Sequence, residues 1–233
     1  LAYVTLARIH LAQANKGDAL EAVAKAIQVI QTSGVFSEAR NAVETSQVEL
    51  WLAQGDLEAA NRWAVSRVKR SSSDDLYGLE NELAHIAQAR VFVALDRLNE
   101  AIALLSHLAE TARSAGRMGR VIEILLLEAL ALRDTGDSEQ ALRALTECLT
   151  LAEPEGYVRV FLDEGQSMQT LLAQWLAHAG TGPVRDYAIY LLSQFDAEPR
   201  AIASPQGPLV ESLSQRELEI LHLIALGRTN KEI

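Results

Sequence analysis

Apolar residues recur at intervals of three and four along most of this sequence, the spacing that places them on one face of an α-helix. The stretches come in pairs: residues 3–14 with 20–30, residues 83–94 with 98–108, and residues 121–132 with 141–149. A further pair, residues 48–52 with 57–68, follows the pattern less closely. Paired amphipathic stretches with short breaks between them predict a series of helical hairpins.

A short turn phrase separates the two predicted helices of each hairpin. Its central residues are Gly17, Gly55, Asp96 and Gly136, which lie 38, 41 and 40 residues apart. Glycine readily adopts the left-handed conformation that ends a helix, and Asp or Asn caps the helix that follows. A period of this length is typical of hairpins that stack into a solenoid.

Small residues begin the second helix of each hairpin, at Ala19, Ala60, Ala101 and Ala141. They allow two helix axes to approach closely, and in this the units resemble tetratricopeptide hairpins. They are longer than the usual repeat of about 34 residues and lack its Trp, Tyr and Pro positions, which indicates a divergent variety. The resemblance implies an all-α superhelix over residues 1–152. The alternative is an irregular helical bundle.

The pattern changes after residue 152. A polar and glycine-containing segment at 153–165 interrupts the array, and two apolar helical stretches follow at 168–178 and 184–195. We expect residues 153–196 to close the repeat array. Three of the five prolines lie within residues 197–212, which predicts an extended linker.

Residues 213–233 have the pattern that opens a helix-turn-helix unit. Ser214 with Glu217 and Thr229 with Glu232 form two capping boxes, each typical of a helix start. Gly227 ends the first of the two predicted helices. The last residue of the chain falls inside the second helix, so we expect the unit to be truncated before its recognition helix.

From Leu209 onward the sequence closely resembles the LuxR-type DNA-binding domain, whose pattern combines Leu-Ser/Thr-x-Arg-Glu-x-Glu with a Gly-x-Ser/Thr-Asn-Lys-Glu-Ile turn. The match covers only the last 25 of 233 residues. The segment from Gly156 to Gly165 independently resembles the end of the repeat region in the MalT-like, ATP-dependent branch of that family. The resemblance implies an upstream P-loop NTPase module that binds ATP, a repeat sensor in the middle and DNA binding at the C-terminus.

By the same resemblance, Thr229, Asn230 and Lys231 are the candidate contacts to DNA phosphates in the complete protein, because the N-terminus of a helix favours an anion. The alternative is that Asn230 and Lys231 are simply solvated. The segment 209–233 carries three basic and four acidic residues, and the chain has a net charge of -10. We therefore expect DNA to be a partner of the complete C-terminal domain and not of this chain alone.

Candidate chemistry is sparse. The five histidines are scattered singly, so the sequence predicts no metal site, and it contains neither a catalytic constellation nor a phosphate loop of its own. Asp163 and Glu164 are adjacent carboxylates, for which ion pairing or capping is the favoured interpretation over a hydrolytic site. Trp51, Trp63 and Trp175 either line a ligand groove or fill the core.

The remaining features favour a cytoplasmic regulator. The single cysteine, Cys148, cannot form an internal disulfide, and no apolar run reaches the length of a membrane span. We expect a non-enzymatic, signal-sensing repeat domain that binds a small-molecule effector or a protein in its groove, within a LuxR-type regulator of transcription. The alternative is a tetratricopeptide-type scaffold or adaptor without DNA binding.

Overall fold

A computed structural model describes residues 2–12, 15–32, 37–70 and 81–197, and these residues form helices and turns with no strand. The helices are α1 Ala2–Ala12, α2 Lys16–Thr32, α3 Ser37–Gln54, α4 Leu57–Arg70, α5 Glu82–Ala94, α6 Leu98–Ser114, α7 Met118–Asp134, α8 Ser138–Ala152, α9 Arg159–Leu162, α10 Gly165–His178 and α11 Pro183–Ala197. The prediction of an all-α fold is confirmed.

The first eight helices form four antiparallel hairpins, α1–α2, α3–α4, α5–α6 and α7–α8, in the order that the apolar pattern predicts. The first helix of each hairpin also packs against the first helix of the next, from α1 through α3 and α5 to α7. This continuous inner row is the geometry of a helical-hairpin superhelix. The four predicted contact alanines, Ala19, Ala60, Ala101 and Ala141, all have 0% exposure, so the helices do approach closely at these positions.

The turns inside the hairpins use the predicted chemistry at three of four positions. Gly55, Asp96 and Gly136 have φ angles of 76°, 59° and 86°, the left-handed conformation that ends the first helix. Asp137 then caps α8, because its Oδ1 accepts a hydrogen bond of 3.0 Å from the backbone N–H of Gln140.

The prediction for Gly17 is wrong. Helix α2 begins at Lys16, so Gly17 lies in its first turn, and it is not among the glycines with positive φ. The start of α2 is instead marked by Asn15, whose Oδ1 accepts a hydrogen bond of 3.3 Å from the backbone N–H of Asp18.

The hydrophobic core is divided into three clusters along the array. One joins the first hairpin to α3 around Val23 and Leu50. A second joins α3 and α4 to α5 and α6 around Trp63 and Phe92. The largest runs from α5 to α11, with α7 at its centre, where Ile122, Ile124 and Leu126 are fully buried.

Helices α10 and α11 correspond to the two apolar stretches predicted after the array, and both pack against α8. The short helix α9, which the apolar pattern did not predict, inserts Phe161 into the core edge-on to Tyr187 at 6.1 Å. The Tyr187 hydroxyl donates a hydrogen bond to the carbonyl of Tyr157, which fixes the turn before α9. Residues 198–233, with nearly all of the predicted linker and the whole predicted helix-turn-helix, lie outside the described residues and stay predictions.

Candidate ligand groove

The inner row of helices borders a groove that α9 and the following turn close on one side. Two adjoining cavities of about 580 Å³ and 440 Å³ occupy it. Seven residues line both cavities and define what we call the inner groove: Val4, Arg8, Glu49, Arg90, Arg159, Asp163 and Glu164. They come from α1, α3, α5, α9 and the turn after α9, so the groove exists only when separate hairpins are stacked.

One wall of the larger cavity is apolar. It is formed by Val4, Ile9 and Leu11 of α1 together with Leu52 and Ala53 of α3. Ile9 is 48% exposed, although most large aliphatic residues of the array are buried. The groove therefore offers apolar surface to a ligand beside its charged side chains.

An ion pair joins the third hairpin to the closing segment inside the groove. Arg90 of α5 and Glu164 lie 2.6 Å apart, and the two side chains are only 29% and 11% exposed. The Coulomb attraction within a pair so shielded from water is stronger than in a surface pair, and breaking the pair would leave a partly buried charge without a partner. Arg90 and Glu164 therefore hold the third hairpin against the closing segment.

Two further ion pairs neutralise charges on the same surface. Arg159 and Asp163, one helical turn apart, lie 2.6 Å from each other. Arg120 of α7 pairs with Glu123 and also lies 3.6 Å from the buried carboxylate of Glu82. Three of the guanidinium groups in the two cavities, those of Arg90, Arg120 and Arg159, are thus already bound to carboxylates.

Glu49 and Arg8 differ from these pairs. Among the described residues, neither side chain forms an ion pair or a hydrogen bond. Burial raises the pKa of Glu49 above its ordinary value, the guanidinium groups of Arg8 and Arg90 partly offset the shift, and nearby carboxylates add to it. Glu49 is therefore a carboxylate whose hydration the groove reduces without supplying a direct partner.

Comparison with known proteins places this groove in a recognised kind of repeat. A family model described as the MalT-like TPR region matches residues 1–178. The chain belongs to that family. The apolar hairpins, the inner row and the closing segment through the end of α10 all fall within the matched residues of the MalT-like TPR region.

Relatives of this MalT-like chain are regulators of transcription. It is 29% identical over 200 residues to the HTH-type transcriptional regulator MalT of Yersinia enterocolitica, covering 78% of the chain, and 29% identical over 204 residues to that of Klebsiella pneumoniae, covering 80%. The regulator of the same name from Yersinia pestis is 30% identical over 200 residues, again over 78% of the chain. The aligned residues span 22% of the length of each relative.

The structure assigns the predicted aromatic candidates of the MalT-like repeats to packing. Trp63 and Trp175 are each 9% exposed, and both belong to core clusters. The indole N–H of Trp175 donates a hydrogen bond of 2.8 Å to the Thr146 hydroxyl. Trp51 packs partly buried against the second cluster. None of the three lines the groove cavities, so the core interpretation is confirmed.

The adjacent carboxylates behave as predicted, and each has an ion-pair partner. Asp163 pairs with Arg159, and Glu164 pairs with Arg90. Within the described part of the chain, no group of three or more His, Cys, Asp or Glu is arranged to hold a metal ion. Among the described helices, none combines the length and apolar character needed to cross a membrane.

Sequence reasoning did not single out Arg8, Glu49 or Arg90 of the groove. A signal is present in the pattern, because Glu49 lies between Val48 and Leu50 and Arg90 lies between Ala89 and Val91, in first helices that are otherwise apolar. The predicted phosphate contacts Thr229, Asn230 and Lys231 lie outside the described residues and stay predictions.

Proposed function

We propose that this chain is the signal-sensing repeat region of a LuxR-type, MalT-like regulator of transcription, and that the inner groove receives the signal. Membership of the MalT-like TPR region family and the similarity to HTH-type transcriptional regulators support this role. The role is one of binding and not of catalysis. In the longer protein, an upstream module would bind ATP and the complete C-terminal domain would bind DNA.

The observation that carries the proposal is the groove itself. Its cavities of about 580 Å³ and 440 Å³ lie within the size range of small-molecule sites. They combine an apolar wall with a few converging charged groups, which is the composition that gives such sites affinity and orientation. A ligand that contacts several hairpins at once would bias how the hairpins stack, and a change in stacking can be passed to neighbouring modules.

DNA contact belongs to the part of the protein that follows the repeats. We propose that Thr229, Asn230 and Lys231 approach phosphates there, because the start of a helix presents N–H groups to an anion. The net charge of -10 opposes phosphate binding by the chain as a whole. The regulator would act in the cytoplasm, where the unpaired, buried thiol of Cys148 is chemically stable.

Ligand binding to the groove can be tested by thermal unfolding of the chain 1–233 against a panel of sugars, small metabolites and candidate partner proteins. A ligand that binds only the folded state at a hundredfold excess over its Kd stabilises by about 2.7 kcal/mol. We expect at least one member of the panel to raise the melting temperature, and Glu49→Lys to remove that rise.

The matched control is Glu139→Lys, which makes the same charge reversal on the outer helix α8, where the Glu139 side chain is 81% exposed. This variant should keep the ligand-induced rise. A melting temperature that stays flat across a broad panel would count against sensing in the groove and favour a purely spacing role for the repeats.

A further inference from the structure

Among the residues that the structure describes, one cation and one carboxylate of the inner groove form no ion pair. Arg8 of α1 and Glu49 of α3 lie on adjoining walls, close enough for Arg8 to lower the pKa of Glu49 but more than the 4.0 Å of an ion pair apart. The other charged residues of the groove are paired with each other. A bound ligand could therefore supply a negative group to Arg8 and a positive group to Glu49.

A buried hydroxyl lies beside the carboxylate. Thr45 is one helical turn before Glu49 on α3, it lines the smaller cavity, and its Oγ1 is shielded from solvent without a hydrogen-bond partner in the described residues. A buried polar atom without a partner costs free energy that a ligand donor can recover. A ligand ammonium group has three N–H donors and could satisfy the Glu49 carboxylate and the Thr45 hydroxyl together.

The apolar wall lies next to both open charges. Val4 and Ile9 are on the same helix as Arg8, and Leu52 and Ala53 follow Glu49 by one turn on α3. A ligand that reaches from Glu49 to Arg8 would therefore place its own apolar side chains against these aliphatic residues.

We propose that the inner groove binds a small zwitterion with an apolar body, the chemistry of a free apolar amino acid or a short apolar peptide, with its ammonium group at Glu49 and Thr45 and its carboxylate at Arg8. This inference rests on the proposed function, because the ligand occupies the groove that we propose receives the signal.

Charge complementarity disfavours other ligand classes. A nucleotide or sugar phosphate would bring several negative charges beside Glu49, and three of the guanidinium groups that could balance them are already held by carboxylates. A neutral ligand would exclude water from Glu49 and Arg8 without supplying a counter-charge to either, which is costly for a charged group.

Calorimetric titration of the chain 1–233 with L-leucine and with L-leucyl-L-leucine tests the ligand class, and the comparison of the two separates a free amino acid from a peptide. N-acetylation of the better ligand removes its ammonium group, and C-terminal amidation removes its carboxylate. We expect each change to weaken binding on the order of tenfold or more, since each removes a charge-assisted contact.

Two variants assign the two ends of the ligand. Glu49→Gln should weaken binding of the uncapped ligand and leave binding of its N-acetyl form almost unchanged. Arg8→Gln should also weaken binding of the uncapped ligand, and it should leave binding of the C-terminally amidated form almost unchanged. Such selectivity would not arise from a general loss of structure. Glu58→Gln and Arg62→Gln are the matched controls, because that ion pair lies on the outer helix α4 with side chains 84% and 65% exposed, and both variants should bind normally.

Equal affinity for the capped and uncapped forms would overturn the zwitterion. Absence of binding of both leucine and the dipeptide would also overturn it. If a neutral sugar binds instead and Glu49→Lys abolishes that binding, the zwitterion is wrong but the sensing function stands. Failure of the sensing function itself would give the flat melting temperature described above for the full panel.

Discussion

At the scale of single residues, His85 of α5 is held in an environment that disfavours its charge. The side chain is only 3% exposed. Burial lowers the pKa of His85 to about 4, and the positive charge of Arg67 adds to the shift. His85 is therefore neutral in the folded protein at pH values where it is partly protonated in the unfolded chain.

This difference predicts a loss of stability in acid. Because the unfolded state binds more protons than the folded state between the unfolded pKa, near 6.5, and the folded pKa, about 4, the free energy of unfolding falls as pH falls through that window. We expect His85 to account for on the order of 2 kcal/mol of this loss. Urea unfolding of wild type and His85→Gln at pH 7 and pH 4.5 measures it.

In His85→Gln the difference in unfolding free energy between the two pH values should be smaller than in wild type. His178→Gln is the control, since His178 is exposed at the end of α10, and this variant should retain the wild-type difference. An unchanged pH dependence in His85→Gln would show that His85 does not cause the acid sensitivity.

At the scale of elements, the turns between the helices of a hairpin set where each second helix begins. Gly136 has a φ of 86° with no atom within 4 Å of the position that a Cβ would occupy. A side chain at this position would therefore have room, but the left-handed backbone conformation would be strained. The N–H of Gly136 also donates to the carbonyl of Arg133, which closes the end of α7.

Gly136→Ala should lower the free energy of unfolding by about 1 to 2 kcal/mol, since a left-handed conformation is strained for a residue with a Cβ. Gly180→Ala is the matched control, because Gly180 also has open space around it but does not have a positive φ. That variant should be neutral or slightly stabilising. Thermal or urea unfolding compares the two, and equal losses of stability would contradict the role of the turn.

Most helices of the array could be predicted from the sequence, because helix periodicity and turn chemistry are local. The sequence alone does not show whether a glycine near a helix boundary ends one helix or lies in the first turn of the next. For this reason the pattern predicts a C-cap at Gly17, although Gly17 lies inside the first turn of α2. Helix α9 is four residues long and is fixed by the distant Tyr187, so periodicity could not reveal it. The groove was missed for the same physical reason, since Arg90 and Glu164 are 74 positions apart in the sequence.

At the scale of the whole molecule, the proposed function assigns DNA binding to residues that follow the repeats. We expect the chain 1–233 to show no sequence-specific DNA binding, because its net charge of -10 opposes contact with DNA phosphates. A protein that carries the complete LuxR-type domain should bind specifically, with an affinity that falls as salt concentration rises.

Fluorescence anisotropy with labelled promoter fragments at several salt concentrations measures both proteins. A scrambled DNA of equal length is the control for specificity. Specific binding by the chain 1–233 itself would contradict the assignment of DNA contact to the complete C-terminal domain.

The division of the hydrophobic core into three clusters has a consequence for cooperativity. In a linear array, each hairpin gains stability only from its neighbours, so the end hairpins can open while the middle remains folded. Arg8 belongs to the hairpin of the first cluster, whereas Glu49 lies on α3, which also contributes Val48 to the second cluster. The proposed ligand, held at Arg8 and Glu49, would therefore join the first hairpin to the next part of the array, and opening of the first hairpin should become rarer when the ligand is bound.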